Sequence, residues 1–75
     1  MDQFLSTQPI YLQIMEKIKK EIVSNVLLPK QQLPSVRELA LLYQVNPNTV
    51  QRALSECERI DLVKSDRTIG RFVTD

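Results

Sequence analysis

Apolar residues recur at Ile10, Ile14, Ile18 and Ile22, with Tyr11 and Met15 beside them. At about 100° per residue they share one side of a helix, while Gln13, Glu16, Lys17, Lys19 and Lys20 take the other. Pro9 suits a first turn, so the pattern predicts a helix over residues 9–24. Residues 25–33 then read as a connection containing Pro29, with a short strand signal at Leu33. In LPSVRELA, Ser35 and Glu38 have the spacing of a capping box, and Val36, Leu39, Ala40 and Tyr43 form one apolar face. A second helix is predicted from Ser35 or Val36 to about Tyr43.

Only Gln44, Val45 and Asn46 separate that helix from the next start signal. Asn46 precedes a proline, which biases it to the extended geometry an N-cap needs, and Pro47 then takes the first helical position, where a missing N–H costs nothing. Val45 and Val50 are spaced for a hydrophobic staple. The third helix is predicted over residues 47–59, with Val50, Ala53, Leu54 and Cys57 within about 100° of one another. Beyond it, residues 61–64 read as a turn into a strand, 66–70 as a loop of about five residues, and 71–74 as a second strand. The expected fold is mainly α with a small β-hairpin, an α+β arrangement of three helices and a wing.

Composition narrows the function. The chain has 75 residues, enough for one small domain, and 43% hydrophobic with 25% charged residues is ordinary for a globular protein. It has no histidine, so His-based triads and His-ligated metals are excluded, and neither a metal nor a cofactor is expected. Its single cysteine, Cys57, rules out an internal disulfide, and its place on an apolar helix face marks it as a small buried hydrophobe. No apolar run approaches the roughly 18 residues needed to span a membrane, and residues 1–9 lack the features of a secretory signal. A cytoplasmic setting is expected, with residues 1–8 as a flexible lead-in to a domain over 9–75. No enzymatic constellation is visible.

Formal net charge is only +1, so any nucleic-acid reading must rest on where the charges sit. Two helices joined by so short a turn form a helix-turn-helix, in which the second helix enters the major groove with its N-terminal residues at the base edges. Asn48, Thr49, Gln51 and Arg52 lie opposite the apolar face of the third helix, and they are side chains able to read bases. No acid precedes Glu56 in this helix. Arg37 is placed to reach backbone or bases from the second helix. Arg67, Thr68, Gly70 and Arg71 lie on a hairpin able to approach the minor groove or phosphates. The competing reading is a winged helix that binds protein, supported by the near-neutral charge.

IYLQI, LPSVRELA, VNPNTVQRAL and GRFV, in this order over residues 9–73, resemble the N-terminal winged helix-turn-helix domain of GntR-family bacterial transcription regulators, and are most similar to the YtrA-type branch. The resemblance implies a repressor that binds double-stranded DNA at a palindromic operator as a homodimer. It places DNA contacts on Arg37, on Pro47, Asn48, Thr49 and Gln51, and on the wing at Ile69 and Gly70. Asn46 and Arg52 fall in the same motif as phosphate or sugar contacts, and Ser35 lies at the start of the second helix beside Arg37. Arg71, in place of a commoner threonine, is expected to add a phosphate contact. The family usually has glycine where this chain has Asn25, Lys30, Gln44 and Asp61, which implies left-handed backbone there. A C-terminal effector or dimerisation domain is expected in the family but not within these residues, so the chain reads as the N-terminal domain of a longer protein or a natural short form.

Overall fold

Pro9 sets the start of the first helix. In the computed structural model, which describes residues 8–74, Pro9 is the N-cap with φ −55° and ψ 140°, and helix α1 runs Ile10–Val23, one residue shorter at each end than expected. Helix α2 spans Val36–Tyr43, helix α3 Pro47–Arg59, strand β1 Val63–Asp66 and strand β2 Gly70–Val73. The strands pair antiparallel, with Val63 opposite Val73 and Asp66 opposite Gly70. The expected lead-in falls, but for Gln8, outside the described residues.

The local signals act as their chemistry requires. The Ser35 hydroxyl accepts from the Glu38 amide at 3.1 Å, and the Glu38 carboxylate accepts from the Ser35 amide at 3.0 Å, closing the capping box. Asn46 Oδ1 accepts from the Asn48 amide at 2.8 Å, with Pro47 next in the chain. Gln44 ends α2 in the left-handed region (φ 58°, ψ 48°), and the Val45 amide reaches back to the Ala40 carbonyl at 3.0 Å. Asn25, Lys30 and Asp61 also have φ of 64–67°. All four positions where glycine was missed are therefore left-handed, a conformation that costs an L-residue about 1 kcal/mol or more.

The hairpin turn is tighter than the expected five-residue loop, with three residues, Arg67, Thr68 and Ile69, between the strands. Asp66 explains this: its Oδ1 accepts from the Thr68 amide at 2.8 Å and from the Thr68 hydroxyl, so side-chain bonds close the turn. Gly70, at φ 84°, supplies the positive torsion. The strand signal at Leu33 becomes an edge contact. Lys30 N–H donates to the Val73 carbonyl and Leu33 N–H to the Arg71 carbonyl, both at 2.8 Å, with a bridge between Gln32 and Phe72. Pro29 and Pro34 bracket this segment and stop it from lengthening into a strand. The segment still covers the free edge of β2.

The core lies where α1, α2 and the hairpin meet α3. Ile14 and Ile18, Leu39, Ala40 and Tyr43, Val50, Ala53, Leu54 and Cys57, and Val63 and Val73 are all buried. The stripe on α1 is buried only in its middle: Ile22 is half-buried and Ile10 is 41% exposed at the helix start. Burial pushes the Cys57 thiol up to about 11, helped by Glu56 and Glu58, so it is protonated and inert at neutral pH.

Relieving the left-handed strain is expected to stabilise the domain. Gln44→Gly should raise stability by up to about 1 kcal/mol, a Tm increase on the order of 5 °C by calorimetry, after allowing for the added freedom of the unfolded chain. Acid should do the opposite. The Ser35 amide, then its hydroxyl, holds the Glu38 carboxyl below its ordinary value of 4.5, and the Thr68 hydroxyl, then its amide, does the same for Asp66, ordinarily 3.8. Folded values below the unfolded ones mean stability that is present above the ordinary values and lost as pH falls through the lowered ones. Thermal melts at successively lower pH should show that loss, and Ser35→Ala, which removes the hydroxyl and keeps the amide, should weaken it only in part while costing about 1 kcal/mol at neutral pH.

Candidate nucleic-acid interface

Burial of Val50, Ala53, Leu54 and Cys57 turns the other face of α3 outward. Asn48, Gln51, Arg52 and Ser55 are exposed there and Thr49 is half-buried. Gln51 Nε2 donates to Ser55 Oγ at 3.3 Å, a long bond that leaves the amide easily redirected. The first turn of α3 has no acid and carries the positive end of the helix dipole, with its Asn48, Thr49 and Val50 amides capped by Asn46. Farther along, Glu56 pairs with Arg59 at 3.0 Å and Glu58 with Arg71 at 2.5 Å. The negative charges on α3 are thus at its C-terminal half, each matched by an arginine.

Helix α1 contributes residues that the motifs did not mark. The Arg52 guanidinium carbon lies 3.9 Å from the centroid of the Tyr11 ring, a cation–π stack between α1 and α3. Stacking engages the guanidinium face and leaves its N–H donors, which lie in the plane, available at the edge. Ile10 and Tyr11 on one side and Asn48, Thr49 and Arg52 on the other line an open cleft of about 410 Å³. Tyr11 also packs against the core at its edge. Its role beside Arg52 depends on how α1 crosses α3, which no local pattern encodes.

Of the remaining candidates, Ser35, Gly70 and Arg71 line a second cleft, of about 380 Å³, between the start of α2 and the wing. Ser35 lies on one wall with Gln32 and Glu38, and Gly70 and Arg71 lie on the other with Ser65. Gln32, unmarked by sequence reasoning, donates from Nε2 to the Ile69 carbonyl at 2.5 Å and so ties the wing tip to the segment before α2. Arg37, the second residue of α2, and Arg67, in the wing turn, are exposed and have no ion-pair partner among the described residues. Ile69 is 47% exposed in the wing turn. Thr68 spends its amide and hydroxyl on Asp66. Asn46 and Pro47 sit at the entry of α3, where the Asn46 carbonyl side-chain oxygen is used by the cap.

This arrangement has close counterparts. Residues 10–73 match the family described as bacterial regulatory proteins, gntR family. The HTH-type transcriptional regulator YhcF of Bacillus subtilis (strain 168) is 49% identical over 74 residues, covering 99% of this chain and 61% of that protein. The HTH-type transcriptional repressor YtrA of the same organism is 39% identical, covering 93% of this chain and 54% of its own length. The chain therefore spans little more than half the length of these curated relatives. Among solved structures, a GntR family transcriptional regulator from Listeria monocytogenes superimposes with a TM-score of 0.90 at 41% identity, over 95% of this chain and 62% of that one. The DNA-binding domain of AraR in complex with operator ORX1 gives a TM-score of 0.86 at 27% identity, over 99% and 90%. On the family match across nearly its whole length, the chain belongs to the gntR family of bacterial regulatory proteins.

Proposed function

We propose that this domain binds double-stranded DNA sequence-specifically for a transcription repressor, with α3 in the major groove and the wing on the minor groove or backbone. The observation that carries the reading is the acid-free, exposed face of Asn48, Gln51 and Arg52 at the positively polarised end of α3. Asn and Gln can each make paired bonds to adenine and Arg to guanine, while the helix N-terminus favours phosphate. Ser35, Arg37, Asn46, Pro47 and Thr49 flank that face, and Arg67, Thr68, Ile69 and Gly70 form the wing that follows it. That a similarly folded domain, that of AraR, is solved in complex with an operator supports DNA binding. The family is one of transcription regulators, and catalysis is not part of this proposal.

On this reading the full-length protein acts in the cytoplasm as a homodimer on a palindromic operator, since two-fold sites require two-fold proteins with half-sites about 34 Å or a multiple apart. Dimerisation and any effector site belong to a C-terminal part outside residues 9–75. The 75-residue chain is then expected to sediment as a monomer and to bind a half-site weakly, because the second half-site is not tethered to it.

Fluorescence anisotropy against labelled duplexes across a salt series tests the proposal. Wild type should lose affinity steeply with salt. Arg37→Ala and Arg52→Ala should each flatten the slope by about 0.9, one phosphate's worth. On a duplex recovered by selection, Gln51→Ala should cost about 1–3 kcal/mol and relax the preference at one base position. Absence of binding even at low salt would reject the DNA reading in favour of a protein partner.

A further inference from the structure

Arg71 is the wing residue whose surroundings depart most from a DNA-contact role. In β2 it shares a face with Val73, two residues on and fully buried, so the strand's alternation aims Arg71 toward α3. There its Nε donates to Glu58 Oε1 at 2.5 Å, with side chains only 20% and 31% exposed. The pairs Lys19–Glu16 and Arg59–Glu56 each stay within one helix, whereas Arg71–Glu58 joins the wing to the helix of the base-reading face. A second clamp, Gln32 to Ile69, holds the neighbouring tip.

We propose that Glu58 is a positioning residue that locks the wing to α3 through Arg71, and that Arg71 is an internal strut and not a phosphate ligand. The inference rests on the DNA-binding reading. Grooves sit at fixed spacing, so a wing and a helix that must engage them together gain from being one rigid body, because ordering on binding is then already done. The acid on α3 acquires a function by this assignment: its negative charge, unfavourable toward DNA in isolation, sets the wing's angle.

The sign of one substitution separates this from the alternatives. Glu58→Gln removes a negative charge from a protein that meets a polyanion. Charge alone therefore predicts tighter binding, as does release of Arg71 to a phosphate. The strut predicts the reverse, a loss of about 3- to 10-fold on the duplex selected by wild type, read by anisotropy. Arg71→Gln should lose a similar factor with a salt slope parallel to wild type, and the double variant should be no weaker than either single one. A Glu58→Gln variant that binds as tightly as wild type or tighter, or an Arg71→Gln slope shallower by about 0.9, overturns the proposal. A readout free of DNA accompanies these: the Arg71 Nε–H signal in a ¹⁵N correlation spectrum of the free chain should be protected from exchange, and Glu58→Gln should abolish that protection. An unprotected signal in wild type also overturns the strut. If wild type binds no duplex while the signal is protected, the ion pair stands and it is the DNA-binding reading that fails.

Discussion

Everything in this domain depends on the burial of one face of α3. Val50, Ala53 and Cys57 are wholly removed from solvent and Leu54 nearly so, and α1, α2 and the hairpin all pack against this helix. Burying a valine or leucine is worth about 1.5–3 kcal/mol relative to leaving it in water, so rotating α3 about its axis would forfeit the Val50 and Leu54 terms together with the smaller ones of Ala53 and Cys57. The same constraint that holds the core therefore fixes which side chains face outward. The outward set of Asn48, Gln51 and Arg52, which we propose meets DNA, is positioned by the buried residues behind it.

Connections in so small a domain must be short, and they turn sharply. The turn between α2 and α3, the exit from α1, the bend at Lys30 and the turn after α3 all use left-handed residues, yet the chain has a single glycine, at Gly70. Asn25 and Asp61 tolerate this conformation better than Lys30 and Gln44 do. The strain is distributed over junctions, where the packing of the elements on either side holds it in place. Glycine is kept at the wing tip, beside Gln32 and Ile69.

Charge follows a similar division. Nine acids nearly cancel ten bases overall, so attraction to DNA cannot come from the net charge. On the proposed reading it comes from which charges are paired. Glu56, Glu58 and Asp66 are engaged by Arg59, Arg71 and the wing turn, whereas Arg37 and Arg67 have no acid against them among the described residues. On the proposed reading, arginines without acid partners on a nearly neutral protein limit non-specific attraction and leave discrimination to the side chains proposed to read bases.

Much of this was legible in the chain itself. The helix limits, the Ser35–Glu38 box, the Asn46 cap and the outward face of α3 follow from residues within a few positions of one another, whereas the four left-handed positions were implied by the family resemblance. The five-residue loop failed as an expectation because Asp66 closes a tighter turn with its side chain, and the strand at Leu33 shrank because prolines bracket it. The tertiary structure alone decided the rest. Tyr11 meets Arg52 only because α1 crosses α3 where it does, Gln32 reaches Ile69 across 37 residues, and Arg71 finds Glu58 instead of standing free on the wing. Local propensity acts through hydrogen bonds and sterics along the backbone, which a sequence displays. Contacts between elements depend on how buried faces pack together, and that is determined only when the whole core assembles.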